Sequence, residues 1–294
     1  MPMKAGIDFG LSNVKAYWIN GEDHEIFHST SDWSDADLAY GSRERLAEIM
    51  ALNGVTELHA TGIGPRDSFE RFTIIEPHPK TDPIFGELST QARGAVWLTE
   101  GPDWTWKSVR RMFVSIGTGT SYLFEDTNDE TYGTPIGNPL GAGSIDGHKS
   151  LFGYARNAPI DQLLGDAMPP PNFDLTLGEA VPSIRGTIKE HFVASHFVKA
   201  SRLPANVEHE GYDRKWIASA VNEVLVAITR DLMNCEDNPK WSGFKDVVVL
   251  GALPHKSKIF RDLLTLYLGL IGKNPIFPPR GEYAGAVGAR HRHA

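Results

Sequence analysis

The pattern of apolar and polar residues repeats in two parts of the chain. In each part an apolar run ends in a turn of small residues, and a second extended segment follows. The first run covers residues 5–9 and continues into 14–19, and the second covers 112–116 and continues into 122–125. Runs rich in β-branched and aromatic residues that end at glycine and serine are typical of strands. The pattern predicts two related strand–turn–strand units, which is a weak internal duplication.

Apolar residues recur at helical spacing in three other segments, 43–52, 87–98 and, over the greatest length, 214–233. This period predicts amphipathic helices that bury one face. Residues 246–250 are a continuous apolar run, which is typical of a strand buried on both faces of a parallel sheet, and a helix is predicted at 256–268. The recurring order of strand, glycine turn and helix predicts the α/β class.

Two proline-rich segments interrupt this order. Residues 76–83 are not expected to form regular helix or central strand, because proline lacks an N–H donor and fixes φ. The sequence therefore predicts an exposed loop leading into Glu87. Residues 168–172 predict a second loop, which separates insertion helices from the C-terminal part. Before the predicted last helix, the small residues of 281–289 permit close approach by another helix or a ligand.

Composition narrows the class of protein. The chain has 294 residues, of which 41% are hydrophobic, and a net charge of −8. Disorder is excluded as the main state, and at about 150 residues per domain the length predicts two domains or lobes. The acidic balance predicts that neither nucleic acid nor a membrane surface is a partner. The apolar run 263–271 is about half a bilayer span and Lys4 and Asp8 interrupt any secretion signal, so we expect a cytoplasmic protein.

Glycine-containing turns are the main chemical signal. Three follow predicted strands, at 10–13, 117–121 and 251–254, and a small-residue helix start lies near Gly285. Such turns suit phosphate, because several backbone N–H groups can point at one anion. The sequence has neither GxGxxG after its first strand nor GxxxxGK[ST], so the Rossmann and P-loop folds are disfavoured. The residues alone indicate a nucleotide-binding α/β protein.

Six segments in this order resemble the type II pantothenate kinases, which belong to the acetate and sugar kinase, Hsp70 and actin superfamily. They are GIDFGLSNVK (6–15), IFGEL (84–88), SIGTGTS (115–121), GAGSIDG (141–147), VVVLGALPHKSKIFRDLL (247–264) and GEYAGAVGA (281–289). The resemblance covers nearly the whole chain, with insertions around 66–82 and 155–172.

The resemblance implies two ribonuclease-H-like lobes, 1–110 and 111–294, with ATP in the cleft between them and a helical insertion near 155–215. It also implies a homodimer that uses ATP and Mg²⁺ to phosphorylate the primary hydroxyl of pantothenate, a small-molecule substrate, in coenzyme A synthesis.

The resemblance also assigns roles near the first turn. Asp8 matches the acid that positions Mg²⁺ through water, although an aspartate here could also cap the turn. Gly10 and Ser12 match the first phosphate loop, but Leu11 stands where the family usually has a second glycine. Lys15 matches a frequent basic residue, for which ordinary solvation is the alternative.

Glu87 aligns with the family's catalytic base, the carboxylate that accepts the proton of the attacking hydroxyl. The alternative is an acidic residue at a helix N-terminus, favoured there by the helix dipole. For the other phosphate and substrate contacts, the resemblance implies a second phosphate loop at Gly117, Thr118, Gly119 and Thr120, substrate contacts at Thr118, Ser121, Tyr132 and Gly141, and an adenosine-side turn at Gly251, Ala252 and Leu253. An ordinary strand–helix turn is the alternative for this last segment.

The chain departs from the family where the family usually has an arginine for the pantothenate carboxylate. Tyr132 falls near that place, and a tyrosine cannot replace a bidentate guanidinium–carboxylate pair. Either Arg93, Arg111 or Lys149 serves instead, or the substrate is not pantothenate. The following segment, 137–147, is expected to be a rebuilt loop. Two alternatives therefore stay open, a kinase of the same fold for another hydroxyl substrate and a non-catalytic relative that binds nucleotide or coenzyme A.

Overall fold

The structure is a computed structural model. It describes residues 3–10, 13–21, 24–30, 41–76, 83–101, 110–125, 131–155, 157–165, 167, 169–170, 172–181, 183, 185, 193–200 and 212–291, and the side chains of 83–85, 125 and 131–136 lie outside this description.

The strands and helices alternate as expected for the α/β class. In chain order the strands are β1 (Met3–Phe9), β2 (Val14–Asn20), β3 (His24–Ser29), β4 (Val55–Thr61), β5 (Thr73–Ile75), β6 (Arg111–Ile116), β7 (Thr120–Glu125), β8 (Thr131–Asn138), β9 (Leu175–Thr176), β10 (Val193–Ser195), β11 (Asp246–Leu250) and β12 (Asn274–Ile276). The helices are α1 (Ser42–Leu52), α2 (Pro83–Glu100), α3 (Ala142–Leu151), α4 (Ile160–Leu164), α5 (Leu177–Ala180), α6 (Tyr212–Glu236), α7 (Ala252–Lys256), α8 (Lys258–Leu270) and α9 (Ala284–Arg290), with a 3₁₀ turn at Gly281–Tyr283.

Two sheets share one topology. Their strand orders are β3-β2-β1-β4-β5 and β8-β7-β6-β11-β12. In each sheet the first strand forms an antiparallel meander with the next two strands in sequence. On its other edge the first strand pairs in parallel with a strand that arrives after a helical crossover, the kind of connection a parallel pair requires. The internal duplication predicted from the apolar pattern is therefore confirmed.

Strand alternation divides the core into layers. Along β1, Ala5, Ile7 and Phe9 pack with α1, whereas Gly6 lies against α9 on the opposite face. In the second sheet β6 and β11 bury one face against α6 and α8 and the other against α2. Because side chains of a strand alternate between faces, both faces of these central strands are covered. The layers are α1, the first sheet, α9 with α2, the second sheet, and α6 with α8.

The central layer depends on an unusually close helix contact. A Cβ atom added at Gly94 of α2 would overlap the carbonyl oxygen of Ala284 in α9, and one added at Gly288 of α9 would overlap the carbonyl oxygen of Thr90 in α2. At Gly6 an added Cβ would overlap the carbonyl oxygen of Ala286. The small residues thus allow α9 to lie directly against both α2 and β1, as the sequence predicted for residues 281–289.

Three boundaries differ from the sequence predictions. The helix expected at 87–98 begins at Pro83, because a proline in the first helical turn gives up an N–H that has no partner within the helix. Residues 141–147 are not a loop, since α3 begins at Ala142 within them. The 281–289 segment does not precede the last helix but forms it from Ala284 onward. Of the proline-rich loop, residues 77–82 lie outside the described residues.

The other long elements agree with the pattern. The predicted helix at 214–233 lies within α6, and the strand at 246–250 is β11. In the part of the chain that the structure describes, no helix is both long enough and apolar enough to cross a bilayer.

The close contact of α2 and α9 predicts that Gly94→Ala destabilises the protein. The added methyl overlaps backbone that cannot rotate away, so we expect a loss of about 3 kcal/mol in the free energy of unfolding, the upper part of the usual overpacking cost. Gly147→Ala is the matched control, because a Cβ at this exposed helical position meets no atom within 4 Å. Its helix propensity should raise stability by about 0.5–1 kcal/mol. Urea unfolding checks both, and equal stability of the two variants would contradict the contact.

Candidate active site

One cavity of about 440 Å³ lies where the two sheets face each other. Its walls come from the turn between β1 and β2, the N-terminal half of α2, the turn between β6 and β7, the start of α3, the end of β11 and the segment 281–285. Residues far apart in sequence therefore meet at one place, because the ends of β1, β6 and β11 open toward the same space. This cavity contains most of the residues predicted from the sequence.

Asp8 lies near the end of β1, on the face that α9 covers. Its carboxylate sits between two glycines, because a Cβ at Gly62 would lie 2.8 Å from Oδ1 and one at Gly285 would lie 2.5 Å from Oδ2. Gly62 also has φ +83°, which favours glycine. Burial raises the pKa of Asp8, and the nearby Lys15 partly offsets this. Oδ1 is buried and accepts no hydrogen bond from the described residues.

Glu87 faces the same cavity from α2. Burial and, to a smaller extent, the negative charge of Asp8 raise its pKa to about 7, with Lys15 partly offsetting the rise. Lys15 is the antiparallel register partner of Asp8 in β2, which places its ammonium near Asp8, and it lines the same cavity as Glu87. Since α2 begins at Pro83, Glu87 lies beyond the first helical turn. The macrodipole alternative for Glu87 is therefore wrong.

Gln91 lies one turn after Glu87 on the same face of α2 and also lines the cavity. Its Nε2 donates a hydrogen bond of 3.1 Å to Oε1 of Glu87. Its Oε1 is buried and has no hydrogen-bond partner among the described residues. The base candidate is thus held from its own helix by an amide side chain.

The turn between β6 and β7 is fixed by the start of α3. The N–H of Ala142 donates to the carbonyl of Gly117 at 2.9 Å, and the N–H of Gly143 donates to the carbonyl of Thr118 at 3.2 Å. Gly117, Thr118, Gly119, Thr120 and Ser121 all line the cavity. Because the turn's carbonyls are used by α3, the turn has a fixed position against the cavity.

The last residue of β8 and the segment that follows it also hold this turn in place. Thr120 Oγ1 donates to the carbonyl of Leu140 at 2.7 Å, and the N–H of Leu140 donates to Asn138 Oδ1 at 2.9 Å. Asn138 Nδ2 in turn donates to Asp231 Oδ2 of α6 at 2.5 Å. Gly141, predicted to contact substrate, does not line the cavity but packs beneath the turn, where an added Cβ would lie 2.7 Å from Gly119.

The predicted adenosine-side turn divides into two parts. Gly251 and Ala252 line the cavity. Gly251 has φ +108°, and an added Cβ would lie 2.1 Å from the carbonyl oxygen of Ile116, so both its conformation and its packing favour glycine. Leu253 is buried in the core with α6 and α8 and does not line the cavity. Glu282 lines this end, with its Oε2 at 3.8 Å from Nδ1 of His255.

The remaining predicted residues have varied positions. Gly10 lines the cavity beside Asp8, while Ser12 and Leu11 lie outside the described residues. Tyr132 belongs to β8, where it is the register partner of Phe124, and its side chain lies outside the description.

The three cations considered for a substrate carboxylate do not line the cavity. Arg93 is exposed on α2. Arg111 pairs with Glu100 at 2.7 Å, and Lys149 pairs with Asp146 at 2.8 Å with its side chain buried. Each of these side chains is therefore directed elsewhere or already paired.

The lining also includes residues that the sequence did not assign to the site, among them the polar residues Gln91, Asn138, Asp146 and Glu282. Two of them carried a usable signal. Gln91 follows Glu87 by one helical turn, so a helix there places both on one face. Asp146 falls within the GAGSIDG segment, which the assumption of a loop obscured. Glu282 falls within the GEYAGAVGA segment, where the prediction rested on the small residues and not on the acid, and nothing in the pattern places Asn138 near the first strand.

The charge of the cavity requires a cation if a polyphosphate is to bind. Among the described lining residues there are four carboxyl side chains, Asp8, Glu87, Asp146 and Glu282, and one ammonium, Lys15. No three His, Cys, Asp or Glu side chains in the described residues form a metal-binding group. Mg²⁺ commonly takes one or two carboxylates and completes its shell with water and phosphate oxygens. The buried, unpaired Oδ1 of Asp8 fits that mode of binding.

No protein-family model matches this chain, and no curated protein matches its sequence. Among solved structures, it is similar to the activator of 2-hydroxyisocaproyl-CoA dehydratase from Clostridium difficile with bound ADPNP, with a TM-score of 0.57, 15% identity and coverage of 98% of this chain and 92% of that chain. It is also similar to component A of (R)-2-hydroxyglutaryl-CoA dehydratase from Acidaminococcus fermentans, with a TM-score of 0.55, 13% identity and coverage of 99% and 96%.

These likenesses extend over essentially the whole of each chain. They show that the chain shares the fold of these two proteins, an α/β fold with two sheets flanked by helices, which confirms the predicted fold class.

Proposed function

We propose that this chain is an ATP- and Mg²⁺-dependent kinase of the type II pantothenate kinase kind, which phosphorylates the primary hydroxyl of pantothenate. One observation carries the proposal. Glu87, with a pKa of about 7, shares a cavity with a buried aspartate that has one unpaired oxygen and with a glycine turn fixed by the start of α3. The ADPNP bound to a protein of the same fold supports ATP as the phosphoryl donor. The family resemblance further supports a cytoplasmic homodimer.

In this proposal Glu87 is the general base. A carboxylate with a pKa near the working pH accepts a hydroxyl proton efficiently while remaining partly ionised. Burial and the charge of Asp8 supply that pKa, and Lys15 limits the shift. The γ-phosphoryl group is transferred to the hydroxyl oxygen as its bond to the β-phosphate oxygen breaks, and the hydroxyl proton passes to Oε of Glu87.

The remaining residues position the two substrates and neutralise the charge of the phosphates, which is most of what phosphoryl transfer requires. Gly10 and the turn Gly117–Thr120 present backbone to the phosphates, and Lys15 adds a positive charge. Asp8 would hold Mg²⁺ through water, and the ion would supply charge neutralisation to the phosphate oxygens. Gly251 and Ala252 border the adenosine, and Thr118 and Ser121 lie on the wall from which they would reach the acceptor.

A second candidate is the same reaction on an acceptor without a carboxylate. The lining of the cavity favours this candidate. Among the described residues that line it, Lys15 is the one with a positively charged side chain, and Arg93, Arg111 and Lys149 lie outside the lining. A neutral, hydroxyl-bearing acceptor would need no cation at the position of the family's arginine. Asp146 would then serve as an acceptor of hydrogen bonds from hydroxyl groups.

The first prediction concerns the base. Glu87→Gln keeps the shape of the side chain but cannot accept a proton, so kcat should fall by about 10²-fold or more. ADP release with Mg²⁺, ATP and pantothenate, or with a panel of small alcohols and sugars, measures it. Glu48→Gln is the control, since Glu48 lies half-exposed on α1 and pairs with Arg45 outside the cavity, and it should leave kcat unchanged. Retention of more than a tenth of kcat by Glu87→Gln would refute the base assignment.

The stability of Glu87→Gln separates loss of chemistry from loss of fold. The folded-state pKa of Glu87 is raised from 4.5 to about 7, so its ionisation weakens the fold as the pH rises between these values. Removing the charge should therefore keep or raise the melting temperature at pH 8. A lower melting temperature at that pH would show that the variant is damaged and not merely inactive.

The second prediction concerns pH. Because the ionised form of Glu87 accepts the proton, kcat should rise about tenfold per pH unit below a pKa of about 7 and level off above it. The acidic limb should disappear in Glu87→Gln, whose residual turnover has no carboxylate to ionise at this position. A kcat profile between pH 5.5 and 9 for both proteins tests this, and an unchanged limb in the variant would assign it to another group.

The third prediction distinguishes the two acceptors. Pantothenyl alcohol has the reacting end of pantothenate but a hydroxymethyl group in place of the carboxylate. If a cation binds the carboxylate, kcat/KM for pantothenate should exceed that for the alcohol by about 10²-fold, which is the usual value of a charge-assisted pair. Values within about threefold would favour the neutral acceptor. No turnover of either, with ATP still bound in a calorimetric titration, would exclude pantothenate as substrate.

A further inference from the structure

We propose that Gln91 is a positioning residue for the reaction, which holds the carboxylate of Glu87 in the orientation that receives the acceptor's proton. The inference rests on the proposed function, because it assumes that Glu87 is the base. It begins from the hydrogen bond of 3.1 Å between Gln91 Nε2 and Glu87 Oε1. Both residues line the cavity from the same face of α2.

The orientation of the amide follows from hydrogen-bond chemistry. An ionised carboxylate can only accept hydrogen bonds, so the NH₂ end of Gln91 must face Glu87 when Glu87 is ready to act as base. A donor to one oxygen restrains the rotation of the carboxylate, and in this proposal the other oxygen, Oε2, receives the acceptor's proton. Because α2 is rigid and packed against α9 and the second sheet, this geometry is set before substrate arrives.

The carbonyl oxygen of the Gln91 amide opposes folding instead of stabilising the fold. Its Oε1 is buried and unpaired among the described residues. Leaving a buried carbonyl unpaired opposes folding, and few such groups occur in native proteins. An apolar side chain of similar length would avoid that penalty and would still pack. The amide is explained if its N–H is needed by Glu87, since functional sites commonly retain groups that weaken the fold.

The neighbours of Glu87 give the amide a distinct task. Asp8 on β1 and Lys15 on β2 act on Glu87 through their charges, and neither makes a hydrogen bond to it within the described residues. Charge at a distance changes the affinity of a carboxylate for protons but does not fix its rotation. Gln91 is the described side chain that contacts Glu87 directly and directionally.

A double-mutant cycle tests the inference. Gln91→Met removes the hydrogen bond and nearly keeps the length of the side chain, so kcat should fall by about 10- to 100-fold with KM for ATP unchanged. In the Glu87→Gln background the same change should alter residual kcat by less than about twofold, because a positioning residue acts through the group it positions. Arg93→Met is the control, since Arg93 lies exposed on the same helix outside the cavity, and it should leave kcat unchanged in both backgrounds.

A melting curve separates positioning from structure. If Gln91 serves Glu87, Gln91→Met should melt at the same or a higher temperature, since it removes an unpaired buried carbonyl. A lower melting temperature together with equal kcat losses in both Glu87 backgrounds would overturn the inference and show a structural role.

The outcomes separate this inference from the proposed function. If Glu87→Gln lowers kcat but Gln91→Met does not, only the role of Gln91 is wrong. If Glu87→Gln leaves kcat unchanged, the base assignment fails and the role of Gln91 fails with it. If no acceptor is phosphorylated, ¹³C NMR of protein labelled at glutamate Cδ remains decisive at pH 8. The signal lost in Glu87→Gln should shift in Gln91→Met and not in Arg93→Met, and an unmoved signal would overturn the inference.

Discussion

The contact between α2 and α9 is the constraint on which the site depends. Backbone meets backbone at Gly94 and Gly288, where no side chain fits, and the two helices are each packed on a different sheet. This single contact therefore fixes the distance between the sheets. Asp8 reaches the cavity from the sheet that supports α9, and Glu87 reaches it from α2, so their separation is set by how closely these helices approach.

Electrostatics gives the two carboxyls different properties within one cavity. Asp8 is buried and Glu87 is half-buried, and both have raised pKa values, but Asp8 has an unpaired buried oxygen whereas Glu87 has an amide partner and a pKa of about 7. The roles proposed here, cation binding by Asp8 and proton acceptance by Glu87, need this difference. Lys15 moderates both shifts because its strand pairs with that of Asp8.

The apolar pattern was sufficient for the elements of the core. Strands β1, β2, β6, β7 and β11 and helices α1 and α6 lie where it predicted them, since a buried face imposes a period that local sequence must obey. It was insufficient at Pro83 and Ala142, where helices begin within segments rich in proline or glycine. At a helix start proline and glycine are tolerated more easily than in a helix interior, because the first N–H groups have no partner within the helix. The glycine turns were located by composition, but their attachment to α3 was not.

By itself the sequence determined the α/β class and the duplicated strand–turn–strand units, because these depend on local periods and on glycine at sharp turns. The predicted residues that line the cavity, such as Asp8 and Glu87, were assigned through the family resemblance. The tertiary structure decided what no local pattern contains. It placed Asp8 between Gly62 and Gly285, excluded Leu253 and Gly141 from the lining, and brought Gln91 to the carboxylate of Glu87. These depend on how closely segments distant in sequence pack, which is set by the shapes of both surfaces and not by either segment alone.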